Sequence, residues 1–476
     1  MRPMLHGTKP AKVQLTEIAQ HPLVMLSVVL LGGWVGTLFP GSAPVLVVLS
    51  TLYLSLIQMA AFPFVILAVY FGMQRLPAEP GSGRLLLQLV LMALLAMLLC
   101  TVVGVLVASL TSAGGGLSVA QTNALGKLAL GSEPGFAMAM RGADAAVVPW
   151  DIATLVPDNL FGVLAYGAAP AVLIGVLCFG AAVAMQAPAM SGSLSAILEG
   201  IYRALESLVQ RFNSWLPVAA FVLAGAATAT AGLEAILLLG GFLAAFMLAA
   251  LLVCAMAIGV ICWRLKRSPW PVLLALREPI TVCLFSPVAT VAVPGFIQAM
   301  SVKLGFSRGL VELCSPIAPV FLKAGEAMFF AVLAIFIANL YHHSLTAGDV
   351  ASICLLSWTA ALWSVGIPGA KSLILGSFVL ASLGLPLEAV LPVFMLVEVL
   401  CEGPRNLLSL LISSALIALL VDCLYINDGQ VFEVSQPATL KFAFSGKQVM
   451  LSFLLISIAL LSVFCAGLGV GLHAIS

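Results

Sequence analysis

Ionisable side chains occur at two places inside the long apolar stretches of this sequence. The stretch FLKAGEAM carries Lys323 and Glu326 on either side of Gly325. They are the only Lys, Arg, Asp or Glu residues between Glu312 and Asp349. Charges are costly in apolar surroundings, and those retained there usually pair with one another or serve a function. The two side chains therefore mark a candidate site.

The second group lies in the stretch VEVLCEGPRNLLSLLISS. On a helix, Glu398, Glu402, Arg405 and Ser409 share one face through steps of three and four residues. One open interpretation is that the acids and the arginine neutralise each other. The other is a solute site, because the planar guanidinium of arginine suits a carboxylate and a glutamate suits an ammonium group. Such a pocket would accept an amino acid or another zwitterion.

The composition predicts that these charges lie within an all-α polytopic membrane protein. The chain has 476 residues, of which 62% are hydrophobic and 8% charged, whereas about a quarter of the residues are charged in a soluble domain. Apolar runs of about 18 residues or more, each able to cross a bilayer, recur along it. The predicted spans are 22–39, 44–73, 84–110, 160–187, 212–231, 235–263, 387–421 and 448–472.

Other functional classes find little support in the sequence. The net charge is +1 and there is no basic domain, so nucleic acid is not an expected partner. The sequence contains no Ser/His/Asp set, metal-ligand spacing or phosphate loop that would indicate an enzyme or a metal site. The expected partners are the lipid bilayer and a small-molecule organic anion or amino acid.

Between residues 270 and 385, prolines and glycines interrupt the apolar pattern. Such breaks free backbone polar groups, which a membrane tolerates only where protein or a water-filled cavity satisfies them. The motif GIPGAK at 366–371 is typical of the tip of a helix–turn–helix hairpin. The proline-punctuated stretch from Pro279 to Met300 has the same character. Two re-entrant hairpins with broken helices are typical of secondary transporters.

Basic residues fall on alternate connections between the predicted spans. By the positive-inside rule, these connections and the N-terminus are cytoplasmic, and the stretch 111–158 is external. The expected location is a bacterial-type inner (plasma) membrane. The basic residues are Arg75, Arg84, Arg203, Arg211, Arg264, Lys266, Arg267, Lys441 and Lys447.

Several motifs, in this order, resemble the dicarboxylate/amino acid:cation symporter (glutamate transporter) family. LYLSLIQMAAFPFVILAV resembles its second membrane helix and VPDNLFGVLAYGAAPAVLIGVLCFGAAVAM its fourth. LGFSRGLVELCSPIAPVFLKAGEAMFFAVLAIFIANLYHHSLT is similar to its seventh helix with the preceding segment, and GIPGAK to the tip of its second hairpin. The resemblance covers about residues 20–425, and the chain is identified as a divergent member.

The resemblance implies a glutamate-transporter-like fold with eight transmembrane helices and two re-entrant helical hairpins, to which this chain adds a ninth C-terminal helix. It also implies a homotrimer and an elevator mechanism, in which a transport domain moves against a fixed scaffold. The expected segments are the cytoplasmic N-terminus 1–20, scaffold helices 1–2 at 21–75, transport-domain helix 3 at 84–110, external loop 111–158, scaffold helices 4–5 at 159–232, transport-domain helix 6 at 233–268, hairpin 1 at 270–300, helix 7 at 305–343, hairpin 2 at 350–385, helix 8 at 387–421, cytoplasmic loop 422–447 and helix 9 at 448–472.

The same resemblance implies roles for individual residues. The arginine that reads a substrate carboxylate falls on Arg405, the acid that reads the amino group on Glu402, and an acid one turn earlier on Glu398. Thr290 keeps the one hydroxyl of the first hairpin tip, and Ser409 completes the helical side of the pocket. The second tip contributes to substrate binding through Gly366, Pro368, Gly369 and Ala370, and to the external gate through Gly366, Ile367, Pro368, Gly369 and Lys371.

The family's sodium ligands are largely replaced. An asparagine and an aspartate become Leu322 and Ala324, and two further ligands become Ser409 and Ser413. Sodium coupling is therefore not expected to carry over unchanged, and no cofactor is expected. Lys323 could act as a tethered cation in place of the ion. Alternatively, Lys323 could form an ion pair with Glu326 or Glu402 that closes a broken helix.

Coupling to protons would use Glu326, Glu398 or Glu402, since burial raises the pKa of a carboxylate. Gly325 is the position that retains the break in the seventh helix. A second functional hypothesis is a non-transporting homologue that acts as a membrane sensor or partner protein. The lost sodium ligands favour that alternative, whereas the retained Glu402 and Arg405 favour transport.

Overall fold

The computed structural model describes the greater part of the chain. The described residues are 22–75, 82–115, 169–184, 188–231, 239–286, 289–307, 311, 314, 322–364, 371–381, 383–385 and 391–420. The regular structure within them is helical. The predicted ninth helix at 448–472 and the hairpin tip at 366–370 lie outside them.

Thirteen α-helices make up this part of the chain, together with two 3-10 turns at Pro40–Ser42 and Ala289–Ala292 and a π-turn at Ala299–Lys303. The helices are α1 Pro22–Leu38, α2 Ala43–Arg75, α3 Ser82–Leu110, α4 Ala169–Ala184, α5 Pro188–Asn213, α6 Leu216–Ala231, α7 Gly240–Leu265, α8 Pro269–Phe285, α9 Val293–Gln298, α10 Ala324–Leu340, α11 Ala347–Trp363, α12 Lys371–Ala381 and α13 Leu391–Leu420.

Four of these helices contain a stretch that is long and apolar enough to cross a membrane. The stretches are Ala43–Phe71, Leu87–Leu110, Gly240–Leu265 and Leu400–Leu420. A fifth results if the neighbouring α5 and α6 form one interrupted span. The helical membrane architecture is therefore confirmed, whereas eight spans and two re-entrant hairpins stay predictions.

The chain forms two compact units. The first contains the described residues up to Ile57 and those from Gln210 to Ala231. Within it, α1 and α6 approach closely at glycines: a Cβ at Gly32 would overlap the carbonyl oxygen of Phe221. The Thr228 hydroxyl also donates to the carbonyl of Gly33 at 2.7 Å. Small residues permit such contacts between helices that lipid surrounds.

The second unit takes in the remaining described residues, and α10 is its central element. Every residue of α10 from Ala324 to Ala338 is buried, as expected for a helix that is apolar on all sides. It packs against α3, α7, α11, α12 and α13. Phe329 of α10 makes edge contacts with Phe242 and Phe246 of α7, with ring centroids 5.6 and 5.8 Å apart.

In each of the two regions where the sequence predicts hairpins, the second unit contains more than one helical element. After α8, the chain continues through the 3-10 turn, α9 and the π-turn, all of which pack against α8. Lys303 and Glu278 face each other across this contact, with Nζ and Oε2 3.6 Å apart. The helices α11 and α12 likewise pack together. A reciprocal capping box between Thr346 and Asp349 starts α11.

Candidate functional site

The candidate site lies where the start of α10 meets the middle of α13. Lys323 is the N-cap of α10, with φ −90° and ψ 47°, and its side chain is partly exposed. Leu322 before it is buried. The helical backbone thus begins within the stretch FLKAGEAM, immediately after the lysine, and Glu326 lies in its first turn.

Glycines bring α13 into direct backbone contact with two neighbouring helices. A Cβ at Gly325 would overlap the carbonyl oxygen and Cα of Arg405. A Cβ at Gly403 would overlap the carbonyl oxygen of Leu284 in α8. The Gly325 N–H donates to the Ser409 hydroxyl at 3.4 Å. The backbone around Arg405 is therefore held between α10 and α8.

Arg405 and Glu326 form a buried ion pair between α13 and α10. The Nη1 and Oε2 atoms are 2.6 Å apart, and the two side chains are 2% and 9% exposed. This is the short distance typical of a charge-assisted hydrogen bond. The sequence left open whether an acid neutralises the arginine and considered Glu398 and Glu402 on the same helix. The acid in this contact comes from the other helix.

An aromatic ring completes the surroundings of the guanidinium. The Cζ atom of Arg405 lies 4.5 Å from the ring centroid of Phe329, within the range of a cation–π interaction. The sequence reasoning missed Phe329. Its spacing of three residues from Glu326 was the available signal, because residues three apart lie on the same face of a helix.

The two serines of the site direct their hydroxyls to the backbone of α13. Ser409 donates to the carbonyl of Arg405 at 3.2 Å, and Ser413 donates to the carbonyl of Ser409 at 2.6 Å. Both serines are buried. Hydrogen bonds to the carbonyl four residues earlier are a common arrangement for serine inside helices.

The electrostatics of this junction favour an anion. The N-terminus of an α-helix carries a partial positive charge and attracts carboxylates, and the guanidinium of Arg405 faces the first turn of α10. The chain supplies the carboxylate itself, through Glu326. The result is a local charge balance at the contact between the two helices.

Some of the remaining predicted residues lie on described elements beside the Arg405–Glu326 pair, and the others lie outside the described structure. Glu402 on α13 and Thr290 in the 3-10 turn are partly exposed. Asn406 donates from Nδ2 to the carbonyl of Ser286 at 3.4 Å, which ties α13 to the end of α8. Outside the described structure are the side chains of Glu398 and Lys371 and all of Gly366, Ile367, Pro368, Gly369 and Ala370.

Similarity to known proteins extends over most of the chain. The model of the sodium:dicarboxylate symporter family matches residues 22–423. C4-dicarboxylate transport protein 1 of Mesorhizobium japonicum is 22% identical over 355 residues, which are 75% of this chain and 72% of that protein. C4-dicarboxylate transport protein of Xylella fastidiosa is 22% identical over 376 residues, 77% of this chain and 79% of that protein. Excitatory amino acid transporter 4 of Mus musculus is 26% identical over 122 residues, 26% of this chain and 22% of its own length.

The family match includes α10 and α13, the helices that carry the buried Arg405–Glu326 pair. The relatives are transporters and not enzymes, and the resemblance inferred from the sequence motifs is confirmed. The chain belongs to the sodium:dicarboxylate symporter family.

Proposed function

We propose that this protein is a secondary active transporter of small anionic or zwitterionic organic solutes, with its site organised around Arg405 and Glu326. The names of its relatives refer to C4-dicarboxylates and to an excitatory amino acid. The observation that carries the proposal is the ion pair buried where the backbone of α10 begins against α13.

A buried ion pair is a poor device for stability alone. Removing two charges from water costs several kcal/mol per ion, and apolar residues of similar volume often stabilise a protein equally well. Ionisable residues within membrane segments are rare and mark sites of function. The helices around Arg405 and Glu326 are apolar, so apolar residues could fill these two positions without loss of stability. The presence of two charges there therefore favours a role in binding.

The proposed substrate contacts come from both sides of this junction. Arg405, Glu402 and Ser409 are on α13, and Thr290 is in the turn after α8. Glu402 lies one turn from Arg405 and is partly exposed, so its carboxylate is suited to an ammonium group. The tip residues Gly366, Pro368, Gly369 and Ala370 would close the pocket, and Ile367 and Lys371 would complete the gate.

We further propose that coupling does not depend on sodium as the family name suggests. Na⁺ prefers oxygen ligands, whereas the positions of an asparagine and an aspartate of the family are occupied here by Leu322 and Ala324, two buried apolar residues. Lys323 would supply a fixed positive charge at the same break. Transport would then be proton-coupled, through Glu326, Glu398 or Glu402, or uncoupled.

An elevator mechanism in a homotrimer fits this proposal. The moving domain would contain α3, α7, α10 and α13 together with the two hairpin regions, α8–α9 and α11–α12. The scaffold would contain α1, α2 and α4–α6. Support for the moving domain comes from α10, which packs against α3, α7, α11, α12 and α13. The proposed orientation in the inner membrane has a cytoplasmic N-terminus.

Uptake into proteoliposomes tests the proposal. The full chain is reconstituted, and radiolabelled C4-dicarboxylates, acidic amino acids, neutral amino acids and monocarboxylates are offered in turn. At least one of these solutes should enter saturably and faster than into protein-free liposomes. Arg405→Gln should lower its uptake by about tenfold or more, because it leaves Glu326 buried without its cation at the contact between α10 and α13.

Arg203→Gln is the matched control, because Arg203 also contacts a carboxylate at 2.6 Å but on the exposed surface of α5. Its uptake should equal that of the wild type. Solutes that raise the melting temperature of the protein without crossing the liposome membrane would instead indicate a sensor. Such a result would overturn the transport proposal.

A further inference from the structure

We propose that Glu326 is a built-in carboxylate ligand of Arg405, and that the site therefore accepts neutral zwitterions with a single carboxylate and excludes dicarboxylates. The inference rests on the proposed transport function and names the substrate class of the same site. It differs from the substrate named in the C4-dicarboxylate relatives.

Arg405 already has a carboxylate ligand within the protein. Its guanidinium is almost fully buried and contacts the carboxylate of Glu326 at 2.6 Å. A solute carboxylate could take this position at Nη1 only by displacing Glu326, and the 2% exposure of the Arg405 side chain leaves little of the guanidinium open to another ligand. Displacement would leave the carboxylate of Glu326 buried without its cation, which is strongly unfavourable.

Glu326 is attached to a rigid helix. Glu326 lies in the first turn of α10, whose backbone touches that of Arg405 at Gly325. Its carboxylate is thus held at the arginine and at the positive end of the helix without the entropy loss that a free solute incurs on binding. A free dicarboxylate competes poorly with such an attached group.

The charges of the junction determine which net charge of a solute the site accepts best. Among the described side chains of the junction, Lys323 and Arg405 are cations, and Glu326 and Glu402 are carboxylates. Their formal charges balance, so a solute with no net charge leaves the site neutral, whereas a dianion does not. Glu402 favours an ammonium group. A neutral amino acid meets both conditions.

The test compares succinate with L-alanine as probes of the full chain in proteoliposomes and in detergent. Wild-type protein should take up L-alanine, and a large excess of succinate should not inhibit this uptake. Glu326→Ala removes the internal ligand and should lower the half-saturating succinate concentration by about tenfold or more. The double variant Glu326→Ala/Arg405→Gln should lose this gain.

Two further variants keep the test decisive. If Glu326→Ala does not fold, Glu326→Gln takes its place, because it preserves the size of the side chain. Its gain in succinate binding should be smaller than that expected for Glu326→Ala. Glu199→Ala removes the carboxylate of the exposed Arg203 pair, at the same 2.6 Å distance, and should leave the response to succinate unchanged.

Preferential uptake of succinate by the wild type would overturn the inference while leaving the proposed transport function intact. The inference also fails if the double variant retains the gained succinate binding, since the anion would then not lie on Arg405. If the wild type takes up neither these probes nor any other solute of the panel, the proposed function itself is wrong.

Discussion

At the level of single residues, burial separates two ion pairs that otherwise look alike. Arg405–Glu326 and Arg203–Glu199 both have a nitrogen–oxygen distance of 2.6 Å. The first pair is 2% and 9% exposed and the second 74% and 52%. Water screens the exposed pair, whereas each buried charge depends on its partner.

This difference predicts losses of stability of very different size for the same type of substitution. Glu326→Ala should lower the free energy of unfolding by about 3–5 kcal/mol, because it leaves Arg405 buried without its carboxylate. Glu199→Ala should lower it by about 0–1 kcal/mol. Melting temperatures of both variants in the same detergent, without added solute, provide the measurement.

Equal melting temperatures for the two variants would contradict the description of Arg405–Glu326 as a buried, mutually dependent pair. A double-mutant cycle with Arg405→Gln separates the pair from its surroundings. The double variant should be less destabilised than the sum of the single variants, since it leaves no lone buried charge.

The sequence identified Arg405, Glu326 and Gly325 as members of a candidate site but did not pair them. Helical periodicity relates residues three or four apart on one helix, which favoured Glu398 and Glu402 as partners of Arg405. The observed partner lies 79 residues away in sequence. Only the packing of α10 on α13 brings them together, and a single sequence carries no signal for that contact.

At the level of helices, glycine determines how closely α10 approaches α13. Gly325→Ala would place a Cβ into the backbone of Arg405, which cannot move aside without displacing α13. We expect a loss of about 1–3 kcal/mol or more, as for other overpacked contacts. Solute binding should weaken as well, because the substitution displaces Arg405.

Gly259→Ala is the matched control for this substitution. Gly259 lies inside α7, and an added Cβ there meets no atom within 4 Å. This variant should be neutral or more stable by up to about 1 kcal/mol, since alanine favours the helix. The two variants are compared by melting temperature and by retention of L-alanine binding. A Gly325→Ala protein as stable as the control would contradict the close backbone contact.

The positions of several helices could be predicted because apolar length is a strong signal in a membrane protein. The helices α1, α2, α3 and α13 begin and end within a few residues of the predicted spans. Predicted span 212–231 is different: its first residues complete α5, and α6 begins at Leu216 after a turn. The first helix is amphipathic and the second is apolar, and Pro217 in the first turn of α6 was the available signal for a new helix start.

At the level of the whole molecule, the proposed coupling differs from the sodium coupling in the name of the family. The name of the family includes sodium, and the match to the family covers residues 22–423. The junction of α10 and α13 instead contains Lys323, the Arg405–Glu326 pair and two serine hydroxyls that donate to the backbone. The proposed transporter keeps the family fold and replaces a bound cation with fixed charges.

The initial rate of solute uptake into proteoliposomes, with and without a Na⁺ gradient, tests whether fixed charges replace the sodium ion. K⁺ replaces Na⁺ on both sides in the comparison, and the solute is the best substrate of the wild type. If fixed charges replace the sodium ion, uptake should be saturable and equally fast in both conditions. Uptake that occurs only with an inward Na⁺ gradient would contradict it.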